Sequence, residues 1–163
     1  MTAREFFSFP DPVDDVAART VATGVVAMAG AALALDQPLL LAPLTYGFAA
    51  RVAAGPRLSP LGRFATKVVA PRVPGTHRRS PGAPKRLAQG MGFTLSATSA
   101  LLWTTGRPRA AKVVLSALLG AAGLEAAFGY CVACRLFPVL VRAGIVPASA
   151  CEDCADISRR WKR

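Results

Sequence analysis

Val16-Ala-Ala-Arg19-Thr-Val-Ala-Thr-Gly24-Val-Val-Ala-Met-Ala-Gly30-Ala-Ala-Leu-Ala-Leu35 carries a single charge, Arg19, in twenty residues. A helix that crosses a bilayer needs about 20 mostly apolar residues. This block has that length, and it lacks the polar face that a soluble amphipathic helix presents. Three further apolar blocks follow, at 39–54, 87–105 and 110–130. Asp36-Gln37-Pro38 separates the first two blocks, and Gly106-Arg107-Pro108 separates the last two. The second block is short and has Arg51 near its end, where a guanidinium can reach the headgroups. The sequence therefore predicts an all-α fold, a bundle of four transmembrane helices in one membrane domain. Its parts are a cytoplasmic N-terminus (1–15), a first hairpin (16–54), a basic loop (55–86), a second hairpin (87–130) and a cysteine-bearing helical tail (131–163).

Composition points the same way. Of 163 residues, 53% are apolar and 18% charged, yet the formal net charge is +11. Soluble domains of this size carry more charge and less apolar content. The basic residues are concentrated between apolar blocks and are not interleaved with aromatics along one face, which argues against a nucleic-acid partner. Gly24, Gly30, Ala34, Gly120 and Gly123 are small residues of the kind that lets helix backbones approach closely in lipid.

Lysine and arginine counts orient the predicted bundle. The segment between the first two blocks has none, and nine fall between Arg51 and Arg86. Six more follow the fourth block, and with Arg4 and Arg19 one side holds seventeen. The opposite side holds three: Arg107, Arg109 and Lys112. This predicts a multi-pass protein of a bacterial inner membrane with both termini cytoplasmic. The N-terminal stretch has no basic n-region with an h-region and cleavage site, so no removed signal peptide is expected.

Within the basic loop, Ser59-Pro60 predicts a helix start that runs to Ala70 and stops at Pro71. Leu61, Phe64, Ala65, Val68 and Val69 share one face, while Arg63, Thr66 and Lys67 share the other. That pattern predicts an amphipathic helix lying in the membrane interface. Arg57, Arg63 and Lys67 are the candidates for contact with anionic lipid headgroups. His77 has no companion histidine or nearby carboxylate, and no ligand role is assigned to it.

Glu125 is the sole acidic residue inside an apolar block. A carboxylate there is costly unless it faces a partner or a cavity. Arg19 and Arg51 are the predicted partners, and a structural ion pair is favoured over proton transfer.

All four cysteines lie after the last apolar block, as Cys131-Val-Ala-Cys134 and Cys151-Glu-Asp-Cys154. The spacing falls within the window of a four-thiolate zinc site. The same pairs serve dithiol redox chemistry or sulfur transfer in a reducing compartment. Val139 to Ala143, preceded by Pro138, predict a short helix, with Gly144 just past its end and Ile145 the contact after it. Ser149 and Glu152 fit a capping box that places Cys151 and Cys154 in the first turns of a last helix.

Three stretches carry a family resemblance: Phe9-Pro10-Asp11-Pro12-Val13-Asp14 with Ala17-Ala18-Arg19, the loop from Gly55 to Arg63, and Cys131-Val-Ala-Cys134-Arg135-Leu136. In these the chain resembles a bacterial, mainly actinobacterial, family of small membrane proteins, domain of unknown function 4395. The resemblance implies no activity. By gene neighbourhood it implies a soluble partner of the thioredoxin-like or sulfurtransferase kind.

Three functions follow as expectations. The first is a membrane-anchored dithiol module, with Cys131 and Cys134, or Cys151 and Cys154, as attacking and resolving thiols. The second is a non-enzymatic membrane scaffold whose tail is folded by zinc on the four cysteines. The third is a small transporter using Glu125.

Overall fold

The computed structural model describes residues 12–74 and 79–145. The chain is predominantly helical. A two-residue strand β1 (Val13–Asp14) leads into helix α1 (Asp15–Ala34), and a 3-10 turn (Pro38–Leu40) into α2 (Leu41–Ala54). The short α3 (Pro60–Phe64) continues through a π turn (Ala65–Val69) and a 3-10 turn (Ala70–Arg72). Strand β2 (Arg79–Ser80) precedes α4 (Gly82–Thr104), α5 (Pro108–Phe128) and α6 (Val132–Arg142).

Helix ends follow local chemistry. Asp14 caps α1, its Oδ1 accepting from the amides of Val16 and Ala17 at 2.8 and 3.4 Å. Ser59 caps α3 as predicted, accepting from Gly62 N–H. Gly129 closes α5 in the left-handed region at φ 64°, and the Tyr130 amide reaches back to the Leu124 carbonyl. Gly144 does the same for α6 at φ 72°, as the sequence predicts, with Ile145 N–H on Leu140 O; the Ile145 side chain, expected to pack back on the helix, is exposed instead.

The four long helices close a ring in the order α1, α5, α4, α2, each packed on the next and α2 returning to α1. Val25, Ala29, Ala32, Leu41, Leu44, Phe48, Leu115 and Leu118 form the shared core. Helix α6 lies mainly on α4. The antiparallel pairing of β1 with β2 (Val13 opposite Ser80, Asp14 opposite Arg79) fastens the loop to the start of α1. Ser80 Oγ donates to Asp15 Oδ1 beside it at 2.5 Å.

Among the described residues, two helices are long and apolar enough to cross a membrane, α1 and α5. The other two blocks differ from expectation for separate reasons. Helix α2 has 14 residues, and α4 starts five residues before Leu87, bringing Lys85 and Arg86 into its first turns. The helix predicted to lie in the interface also does something else. Its Leu61, Ala65 and Ala70 pack on Ala17 and Val21 of α1, while Phe64 stays exposed.

The small residues are used differently from prediction. A Cβ at Gly24 would meet Leu61 side-chain atoms at 2.6 Å, so that glycine does admit a neighbour. Gly30, Gly120 and Gly123 face open space. The tightest approach is at Gly92, where a Cβ would lie 2.2 Å from the Phe48 ring.

Candidate functional site: a dithiol beside a buried ion pair

The N-terminal ends of α1, α4 and α6 meet the C-terminal ends of α2 and α5 at one end of the bundle. Lys85, in the first turns of α4, donates to Glu125 Oε1 of α5 at 2.5 Å. Asp15 of α1 stands 3.8 Å from the same ammonium. The side chains of Lys85 and Glu125 are only 8% and 16% exposed. Glu125 thus has the cationic partner its position demands, and that partner is Lys85 instead of Arg19 or Arg51. Arg19 reaches the same turn of α5 but donates to the carbonyls of Ala126 and Ala127, at 2.9–3.2 Å, which the helix end leaves unpaired. Arg51 is held by Gln89 and Ser59 instead.

Lys85 is counted among the loop charges in the sequence, and the signal that could have found it is a stripe. Lys85, Gln89, Gly92, Ser96 and Ser99 recur at helical spacing, and of these all but Gln89 are buried. Helix α4 therefore turns its polar and small side inward. Ser99 Oγ donates across to the Ala111 carbonyl of α5 at 3.0 Å. The apolar side faces out, with Phe93, Met91 and Leu101 exposed.

Cys131 and Cys134 stand at the start of α6, Cys131 as its N-cap and Cys134 as its third residue. The helix begins six residues before Pro138, which lies inside it. Proline has no N–H to offer the Cys134 carbonyl, so the first turn is held by fewer bonds than usual. The dithiol thereby gains the positive end of a helix dipole, a placement predicted only for Cys151 and Cys154. Both thiols are free; Cys131 is buried and Cys134 half-buried.

Their electrostatics are unequal. A hydrogen bond from the Cys134 thiol holds Cys131 below the ordinary thiol range, against burial and the Glu125 carboxylate, with help from the Lys85 ammonium. The same bond, with burial added, pushes Cys134 far above that range. The shared hydrogen bond thus favours a single thiolate on the pair, with Cys131 the favoured sulfur. Cys131, Ala133 and Glu125 line a cavity of about 80 Å³, together with Ala18, Gln89 and Ala122.

The structure brings Cys131, Cys134 and Glu125 together and adds Lys85 and Asp15. Cys151 and Cys154, like His77, lie outside the described residues. Among the described residues no group of three or more His, Cys, Asp or Glu could hold a metal ion. For zinc, Cys131 and Cys134 thus offer two thiolates of the four. Arg57, Arg63 and Lys67 are exposed around α3, on the outer side of the molecule.

Comparison with curated proteins and with solved structures finds no match. Residues 13–142, which include α1 to α6, the Lys85–Glu125 pair and the dithiol, match the family model described as Domain of unknown function (DUF4395), and the chain belongs to that family.

Proposed function

We propose that this protein is a four-span inner-membrane protein carrying a dithiol exchange centre, Cys131 and Cys134, at its cytoplasmic surface. The observation that carries the chemistry is the Cys131–Cys134 dithiol at a helix N-terminus, one thiol buried and one half-buried, beside a buried lysine and carboxylate. The membrane reading is supported by the inverted pattern of α4 and by α5, which buries only Ala111, Leu115 and Leu118 of its 21 residues. Water would penalise so much outward apolar surface, and lipid does not. Four passes with both termini inside is the arrangement the lysine and arginine count favours.

In the exchange, the Cys131 thiolate attacks a disulfide of a soluble partner of the thioredoxin-like or sulfurtransferase kind. A mixed disulfide forms and the partner's leaving sulfur departs as a thiolate. Cys134 then gives up its proton, to the Glu125 carboxylate or to water, and attacks Cys131 sulfur. The partner is released as a dithiol and Cys131–Cys134 becomes a disulfide. Two electrons pass to the partner, and a second dithiol restores the pair. Lys85 stabilises the developing thiolates and keeps Glu125 in place.

The test uses purified protein in detergent, with Cys151→Ser and Cys154→Ser to isolate the first pair. Metal content and thiol titration are measured on this variant and on the wild type. The proposal expects one reversible disulfide per chain, absent in Cys131→Ser. One stoichiometric zinc with no titratable thiol in the wild type would overturn it and support the zinc-folded scaffold. Reporter fusions at both termini and in the turn at Gly106 test the passes.

A further inference from the structure

Arg51, near the C-terminal end of α2, is 4% exposed. Its Nε donates to Gln89 Oε1 at 2.6 Å and its Nη1 to Ser59 Oγ at 3.0 Å. The guanidinium lies over the Phe48 ring, 4.6 Å from the centroid. Its Nη2 is buried without a hydrogen-bond partner, and among the described residues no carboxylate bridges to Arg51. This is the opposite of Lys85, which has both Glu125 and Asp15.

Arg51 also lines a cavity, of about 230 Å³, separate from the dithiol cavity but sharing Gln89, Ala18 and Val21 with it. Thr66 and Lys85 are further polar residues of its lining, and Pro12, Val13 and Pro56 are among the apolar ones. Asp14 lines it too, with Oδ1 committed to the α1 cap. A buried guanidinium with one arm unused costs free energy unless an anion completes it. Guanidinium arms match phosphate oxygens in geometry as well as charge.

We infer that the Arg51 cavity is an anion site that takes a single phosphate group, presented by a phospholipid headgroup or as the free ion. The cavity has room for a phosphate with a glycerol attached. Gln89 and Ser59 fix the guanidinium plane, and Nη2 is the donor left for the ligand. The site shares Lys85 and Gln89 with the surroundings of the dithiol, but its anion donor, Arg51, has no part in the dithiol proposal.

The experiment is thermal unfolding of the full chain in a neutral maltoside detergent. One arm titrates inorganic phosphate at ionic strength held constant with chloride. The other titrates phosphatidylglycerol into the micelles, against a neutral diacylglycerol control. A saturable rise in the unfolding midpoint is expected in one arm or both. A rise with phosphate alone identifies the free ion, and a rise with phosphatidylglycerol alone identifies the headgroup. Arg51→Lys keeps the charge but loses the second arm, and should weaken the affinity at least tenfold. If Arg51→Lys does not fold, Thr66→Leu, which fills the cavity and keeps the guanidinium, decides by the same criterion. Titrations without saturation, or unchanged affinity in the deciding variant, overturn the site and assign any binding to exposed basic residues such as Arg63 and Lys67.

Discussion

The two ends of the helical ring each carry an ion pair, and the pairs are built differently. At one end Lys85 sits between Glu125 and Asp15, almost out of contact with solvent, within reach of two thiols. At the other, Lys112 at the start of α5 pairs with Asp36 after α1, with side chains 39% and 65% exposed. The same lysine lies 5.9 Å from the Trp103 ring centroid. Asp36 occupies the left-handed region at φ 52°, where it closes α1. The outer pair ties down helix ends. The inner pair is a charge that the fold has taken inside and surrounded with ionisable neighbours. Burial separates the two: the inner pair is desolvated, and the outer one is open to solvent.

The largest way to break this contrast is Lys85→Met. It strands Glu125 and Asp15 in a desolvated site, and chemical unfolding in detergent should show a loss of about 3–5 kcal/mol. Replacing both members, Lys85→Met with Glu125→Leu, should recover most of that loss, because the one carboxylate left without the ammonium, Asp15, is 27% exposed and keeps its bond from Ser80. A double variant as unstable as the single one would deny the pair its buried character.

Next in size is Gly92→Ala. The added methyl would meet the Phe48 ring at 2.2 Å, so α2 and α4 must part or the ring must turn. A cost of about 1–3 kcal/mol is expected. Gly120→Ala, whose Cβ meets nothing within 4 Å, serves as the control and should be neutral or slightly stabilising.

The third prediction concerns reactivity. With Cys134→Ala the hydrogen bond that lowers the Cys131 pKa is gone, so the pH profile of Cys131 alkylation should move to higher pH. Cys134→Ser keeps an O–H donor and should shift the profile less. Identical profiles in all three proteins would remove the inequality of the thiols.

The smallest effect belongs to the outer pair. Asp36→Asn should cost no more than about 1 kcal/mol, since exposed ion pairs are worth little. A loss as large as that of Lys85→Met would erase the distinction between the two ends.

Much of this arrangement was legible in the sequence, and the exceptions have physical causes. The four apolar blocks became the four long helices because apolar continuity is a strong signal even without periodicity. Glu125 and the first cysteine pair stood out by chemistry alone. Ser59 and Gly144 were readable because caps have local signatures. Lys85 was hidden because α4 starts before its apolar block, and a lysine in a basic stretch resembles its solvated neighbours. Only the recurrence from Lys85 through Gln89, Gly92 and Ser96 to Ser99 betrays its inward direction. The start of α6 was misplaced by Pro138, which favours a first helical position but here sits inside the helix. The unpartnered arm of Arg51 depends on three-dimensional packing and has no sequence signal.

The notch at Gly92 reaches further than the contact it makes. Phe48 lies in that notch, and the Arg51 guanidinium rests on the Phe48 ring. The pose of the arginine is therefore inherited, through the Phe48 ring, from the space that Gly92 leaves. Over evolutionary time positions 48 and 92 should change together, a bulkier residue at one accompanied by a slimmer one at the other. Where that compensation drifts, the charge at 51 should be the first thing lost.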